Sequence, residues 1–183
     1  SMLFAPLLLL VVDRIARRHA TSAVRSEPDS FDAQDAPIIV AGIGRYGQIV
    51  GRLLFANGMR ATVLDHNPEQ IDLLRKFGYK VFYGDASRLD LLRTAGAARS
   101  RVFVLAVDDV EQSVEIARLV REHFPQATVV ARARNVTHYI RLRDAGVALI
   151  ERETFDSALM SARSVLEAMG WQPHTARTLA LRF

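Results

Sequence analysis

The sequence predicts an α/β fold, a doubly wound parallel sheet of about six strands followed by a C-terminal helix. Three observations predict it. Short apolar runs alternate with helical stretches from Pro37 to Met169. The connections between them are short, as in right-handed β–α–β crossovers. The first apolar run opens into Gly42-Ile43-Gly44-Arg45-Tyr46-Gly47, a G-x-G-x-x-G loop set between a strand and a helix.

Each element has its own justification. Pro37–Ile43 (PIIVAGI) is an uninterrupted apolar run, as expected for a strand buried on both faces. Arg45–Asn57 follows as a helix with Ile49, Val50, Leu53 and Leu54 on one stripe and Gly58 as its cap. Arg60–Asp65 is the second strand, and Pro68 starts a second helix that runs to Phe77. Lys80–Tyr83 is a short third strand and Arg88–Ala95 a short third helix. Arg101–Val107 (RVFVLAV) is the fourth strand, followed by the helix Val110–His123, which Pro125 stops. The strand Thr128–Ala131, the helix Val136–Ala145, the strand Val147–Ile150 and a long closing helix Thr154–Met169 complete the series. This is a Rossmann-type arrangement.

Composition narrows the function classes. In 183 residues, 50% hydrophobic and 24% charged residues exclude wholesale disorder. The absence of cysteine excludes disulfides, thiolate metal sites, cysteine nucleophiles and iron–sulfur clusters. The net charge of +4 comes almost entirely from arginine, since Lys76 and Lys80 are the only lysines. Guanidinium forks suit carboxylates and phosphates, so an anionic ligand is expected. So small an excess does not favour nucleic acid, and none is expected among the partners.

Residues 1–36 differ from the rest. Met2–Val12 (MLFAPLLLLVV) carries no charge, but it is shorter than the roughly 20 apolar residues that span a bilayer. No basic residue precedes it, unlike a signal peptide, and Arg14, Arg17, Arg18 and Arg25 follow it. Basic residues so placed mark the cytoplasmic flank of a membrane helix. Residues 1–18 are therefore expected to be the end of the last transmembrane helix of a longer protein, with its basic flank. An amphipathic or buried N-terminal helix is the alternative. Residues 19–36, polar and acidic with one proline, read as a linker.

The glycine loop carries a mechanism. Gly42 permits the tight turn, Gly44 admits a pyrophosphate close to the backbone, and Gly47 lets helix and strand pack together. The phosphate would rest on the helix N-terminus. Asp65 ends the second strand, 18 residues past Gly47, placed to accept hydrogen bonds from ribose hydroxyls. Its carboxylate also repels a 2′-phosphate, favouring NAD(H) or an adenosine nucleotide over NADP(H). Asp85 and the pair Asp108-Asp109 follow the third and fourth strands, at the sheet edge where such folds bind ligands. Asp85 would lie beside the adenine; the other reading is that each of these aspartates caps the next helix, which is favoured for Asp108 and Asp109.

Catalytic equipment is not evident. After six strands only about thirty residues remain, too few for a substrate domain. His19, His66, His123, His138 and His174 are scattered and form no nucleophile or metal constellation. A nucleotide site without a proton-exchanging group, attached to a membrane helix, reads as a sensor and not an enzyme.

Five segments then carry a resemblance: IIVAGIGRYGQIVGRLL, VLDHNPEQIDLLRKFGYKVFYGDASRLDLLRTAGA, HFPQATVVARARN, HYIRLRDAGV and ERETFDSALMSAR. They closely resemble the cytosolic KTN/RCK (TrkA-N) regulatory domain of the Kef glutathione-regulated potassium efflux family, over about residues 37–170. The resemblance implies residues 37–151 as the nucleotide-binding domain and residues 152–183 as a truncated C-terminal dimerisation or peripheral helix region. It implies AMP or NAD(H) as cofactor, with candidate contacts at Gly42, Gly44, Arg45, Tyr46, Gly47, Asp65, His66, Asp85 and Ala86. It implies a homodimer with glutathione between the subunits, held by Arg52 and Arg152, and Phe77 as the aromatic displaced by bulky glutathione adducts. Read from the residues alone, Arg52 is a solvated helix-face residue and Arg152 a partner of Glu151 or Glu153. Further implied partners are the chain's own membrane cation:proton antiporter domain and a flavodoxin-like quinone-reductase ancillary subunit, at the cytoplasmic face of the bacterial inner membrane. The family continues beyond the position of Phe183 with a segment that completes the glutathione pocket, so the chain is expected to be a fragment. A nucleotide-sensing peripheral subunit of a potassium uptake system is the runner-up, and an NAD-dependent oxidoreductase the rival of another class.

Overall fold

The structure, a computed structural model, describes residues 37–68, 71, 75 and 80–183. The expected membrane segment and linker at 1–36, most of the second helix and Phe77 lie outside the described residues. Six parallel strands form one sheet: β1 (Ile38–Ala41), β2 (Ala61–Asp65), β3 (Lys80–Tyr83), β4 (Val102–Leu105), β5 (Thr128–Ala133) and β6 (Leu149–Arg152). Their spatial order is β3-β2-β1-β4-β5-β6. The described helices are α1 (Arg45–Ala56), α2 (Leu89–Thr94), α3 (Val110–His123), α4 (Val136–Asp144), α5 (Phe155–Ala168) and α6 (Pro173–Arg182). The order reverses between β1 and β4, and at such a switch point the chains leaving neighbouring strands part to opposite faces and open a crevice.

Every residue of β1 and β2 is buried, as the uninterrupted apolar run of β1 requires, and in β2 the burial includes the polar Thr62 and Asp65. Alternate side chains feed two cores, because successive residues of a strand point to opposite faces. Ile39, Ala41, Leu64, Phe103 and Leu105 join Leu92, Val114, Val120 and Leu142 on one face. Ile38, Val40, Val63, Val81 and Val104 join Ile43 and Ile71 on the other, with Val50 and Leu54 of α1 packed against them. Val50 and Leu54 are thus the inward half of the expected α1 stripe, whereas Ile49 and Leu53 face outward, 63% and 65% exposed.

Three differences from the expected elements have local causes. The sixth strand starts at Leu149, not Val147, because residues 145–147 close α4. The Gly146 N–H donates to Arg143 O at 2.8 Å and the Val147 N–H to Leu142 O at 3.1 Å, a Schellman cap with Val147 buried beneath it. β5 runs on to Ala133 because Arg132 and Ala133 pair with Glu151 and Arg152 of the displaced β6. The closing helix ends in another Schellman cap, with the Trp171 N–H donating to Leu166 O at 3.1 Å. A further helix then follows, α6, with Pro173 in its first turn. α5 packs on α6, and no residue of α5 is buried.

Candidate functional site

The carboxyl ends of β1, β2, β3 and β4 enclose a cleft of about 320 Å³, at the lower end of small-ligand sites. Its walls include Gly42 and Gly44 after β1, Asp65, His66 and Asn67 at the end of β2, Gly84 and Ala86 after β3, and Ala106 to Asp109 with Gln112 after β4.

The three glycines of the loop are required for different reasons. Gly42 has φ +88°, and a Cβ there would lie 2.8 Å from the backbone of Ala106 and Val107. A Cβ on Gly47 would lie 2.1 Å from Gly42 O, so α1 and the loop pack with no room for a side chain. Gly44 is different: its φ is −57°, and a Cβ would meet only Asp108 Oδ2, at 3.6 Å. Neither backbone geometry nor packing calls for glycine at this position, which is also the N-cap of α1. Glycine is favoured at an N-cap, and here its missing side chain also leaves room for a ligand against the backbone; a phosphate suits a helix N-terminus, where free N–H groups and the macrodipole favour negative charge. The residues present therefore fit a nucleotide.

Asp65 is 8% exposed, and both carboxylate oxygens are engaged. Oδ2 accepts from the Ile43 N–H at 2.7 Å and Oδ1 from the Asn67 N–H at 2.8 Å. The acid at the end of β2 thus ties the glycine loop to the β2 turn. Each oxygen keeps a second lone pair for a sugar hydroxyl at the crevice wall.

Asp85 does not cap α2, whose N-cap is Arg88. Its Oδ1 accepts from the Ser87 N–H and from Gln112 Nε2, both at 2.8 Å, so it joins the β3 turn to the first turn of α3. Burial raises the Asp85 carboxyl, but these hydrogen bonds and nearby His66 outweigh it and leave the group below the usual carboxylate range. Asp109 caps α3 by accepting from the Gln112 N–H at 2.8 Å. Asp108 does not cap; it accepts from Arg132 Nη2 at 2.5 Å, and Arg134 donates to its carbonyl at 3.2 Å. The Arg132 hydrogen bond, against some desolvation, holds the Asp108 carboxyl below its ordinary value.

Arg132 stands beside the crevice, behind Asp108. It is 2% exposed, reaches Val107 O at 3.1 Å, and lies with its guanidinium 5.7 Å from the Tyr46 ring and Nε 3.8 Å from Glu153. Tyr46 is partly buried, and burial, followed by the charge of Glu151, raises its phenol pKa. The available signal was position, since Arg132 is the residue of β5 level with the crevice, one strand from the switch point.

Of the expected nucleotide contacts, Gly42, Gly44, Asp65, His66 and Ala86 line the cleft. Gly47 acts through packing, Tyr46 sits on Arg132, Asp85 stands behind Gln112, and Arg45 is exposed. Asn67 and Gln112 line it without having been anticipated. The expected glutathione residues lie elsewhere: Arg52 is exposed on α1 with Nε 3.3 Å from Gln48 O. Arg152, exposed at the end of β6, stacks on Phe155 at 3.8 Å and pairs with neither Glu151 nor Glu153. No hydrogen bond links the two arginines.

Residues 38–152 match the TrkA-N domain. The chain belongs to the TrkA-N domain family. Within this family its sequence places it among the Kef C-terminal domains. The glutathione-regulated potassium-efflux system protein KefC of Salmonella arizonae is 51% identical over 180 residues, 98% of this chain. The chain spans 29% of that relative's length. The solved Kef C-terminal domain of Shewanella denitrificans, in an AMP-bound form, is 43% identical with a TM-score of 0.72, over 78% of this chain and 87% of that one. The GsuK channel bound to NAD shares the TrkA-N fold at 21% identity and a TM-score of 0.63, over 88% of this chain and 29% of that one.

Proposed function

We propose that the chain is the ligand-sensing domain of a glutathione-regulated potassium efflux protein at the cytoplasmic face of a bacterial inner membrane. It binds an adenine nucleotide, AMP or NAD(H), in the crevice, without turning it over. Gly44 carries this reading, because its missing side chain leaves the N-terminus of α1 open to a phosphate, and the AMP-bound relative is 43% identical. Gly44 and the N-terminus of α1 receive the phosphate, Asp65 the ribose, and the β3 side of the crevice the base. The bound nucleotide supplies rigidity to the loops after β1, β2 and β3.

The gating ligand is glutathione or its adducts, bound between two copies of the chain by Arg52, Arg152 and Phe77. Its two carboxylates suit arginine forks. Residues 1–18 end a transmembrane helix, 19–36 link it to the nucleotide domain at 37–151, and 152–183 contribute to dimerisation. Glutathione favours one dimer arrangement and a bulky adduct another, so that each ligand shifts efflux only through its differential affinity for the two states. A flavodoxin-like quinone reductase is a further partner.

Calorimetry tests both halves. AMP or NADH binding to the wild-type chain is expected, and no heat with any adenylate overturns the nucleotide site. Glutathione and a bulky S-substituted glutathione are then compared on Arg52→Ala and Arg152→Ala; unchanged binding of both ligands removes these arginines from the site. Steady loss of nicotinamide absorbance with candidate substrates would count against a sensor.

A further inference from the structure

Gln112 has no part in the glycine-loop motif, yet it lines the crevice from the first turn of α3. Its backbone is fixed by the Asp109 cap at 2.8 Å, and its side chain by Asp85, also at 2.8 Å. We propose that Gln112 is a specificity-determining residue that reads the six-position of a purine base, accepting a hydrogen bond from the amine of adenine and opposing the carbonyl of hypoxanthine or guanine. This rests on the nucleotide reading above.

Chemistry settles which end of the amide Asp85 holds. An ionised carboxylate accepts and cannot donate. Asp85 is held in that form by its hydrogen bonds, so the neighbour 2.8 Å away must be the Gln112 NH₂ group. The carbonyl Oε1 is the remaining end, and it makes no hydrogen bond among the described residues, leaving both lone pairs available. The place is right for a base. With phosphate at Gly44 in the loop after β1 and sugar at Asp65 at the end of β2, the base extends toward the β3 turn, where Ala86 and, from the first turn of α3, Gln112 form the wall. An adenine edge presents an N–H₂ donor where the 6-oxo purines present an acceptor. Two acceptors facing each other forfeit the hydrogen bond and leave both groups poorly solvated. Asp85 acts as a positioning residue, since rotating the amide would set its carbonyl against the carboxylate.

The experiment is calorimetric titration of AMP and IMP into the 183-residue chain, its Gln112→Leu variant and its Gln112→Lys variant. Wild type is expected to bind AMP about ten-fold or more tightly than IMP. Gln112→Leu is expected to bring the ratio close to one. Gln112→Lys, which can still pair with Asp85 while offering a donor, is expected to favour IMP. Using the ratio cancels the general attraction of a new cation for phosphate. Equal binding of AMP and IMP by wild type overturns the proposal while leaving the nucleotide site standing, and that result does not depend on how a variant folds. A ratio unchanged in both variants overturns it as well. Failure of wild type to bind either nucleotide removes the nucleotide reading itself.

Discussion

Gly44 and Gly47 stand three residues apart and answer to different neighbours. At Gly47 the neighbour is the protein's own backbone, so Gly47→Ala is expected to cost about 3 kcal/mol of stability, measured by urea unfolding. At Gly44 no such contact exists, so Gly44→Ala is expected to cost only the loss of a favoured N-cap, about 1 kcal/mol or less, while losing nucleotide affinity in calorimetry. Equal destabilisation by both substitutions would contradict this division. Asp65 combines the two roles. In Asp65→Asn one oxygen still accepts an N–H, but the amide NH₂ confronts the other donor, Ile43 or Asn67, across less than 3 Å. The expected cost is about 1–3 kcal/mol in the same unfolding assay, together with weaker AMP binding. A variant as stable as wild type would show that the loop is held by other means. The glycines and the acid were legible in the sequence because their spacing repeats a mechanism. Gln112 was not, because its role depends on an aspartate 27 positions away that only the folded chain brings to its side chain.

Among elements, the junction of β5 with α4 sets arginines around a buried histidine. His138 is fully buried; its Nδ1 accepts from the Arg134 N–H at 3.2 Å and its Nε2 has no hydrogen-bond partner. Burial lowers its pKa, and the guanidiniums of Arg132, Arg141 and Arg134 lower it further, partly opposed by Asp109. Arg141 is itself paired with Glu111 of α3, both side chains meeting in a two-pronged contact. Because the folded state binds the His138 proton less readily than the unfolded chain does, the unfolded state gains protons first as pH falls. The contribution of His138 is therefore intact above about pH 6.5 and is lost as pH drops from there toward the lowered folded value. Unfolding free energies measured between pH 7.5 and 5 are expected to decline less in His138→Gln than in wild type. Identical slopes would mean that His138 binds its proton equally well in the folded and unfolded chains.

For the whole molecule, ligand and partner are linked to stability. A ligand that binds only the folded chain at a hundred times its Kd adds about 2.7 kcal/mol. For a domain of this size, saturating AMP is expected to raise the Tm by about 5–10 °C in a thermal melt. An unmoved midpoint would exclude binding of that strength. The proposed homodimer has a surface to use, since Ile49 and Leu53 lie one turn apart on the outer face of α1, both more than half exposed. The paired substitution Ile49→Asp and Leu53→Asp is expected to shift sedimentation from dimer to monomer with the helical circular dichroism preserved. A dimer that survives both charges would place the interface elsewhere.

The sequence by itself determined the order of strands and helices, the glycine loop and the acid that faces it. These are local matters: a run of apolar residues, a glycine at a helix end and a spacing between motifs act through neighbours in the chain. It also carried enough family-specific segments to identify the TrkA-N domain, which the match over residues 38–152 shows. Tertiary structure alone decided which arginine is buried, where β6 begins, and which side chains wall the crevice. Arg132 resembles its neighbours Arg134, Arg141 and Arg143 in sequence, but β5 lies between β4 and β6, and that position encloses it between Asp108 and Glu153. Contacts across the strand order come from the path of the backbone through space, which no single stretch of residues encodes.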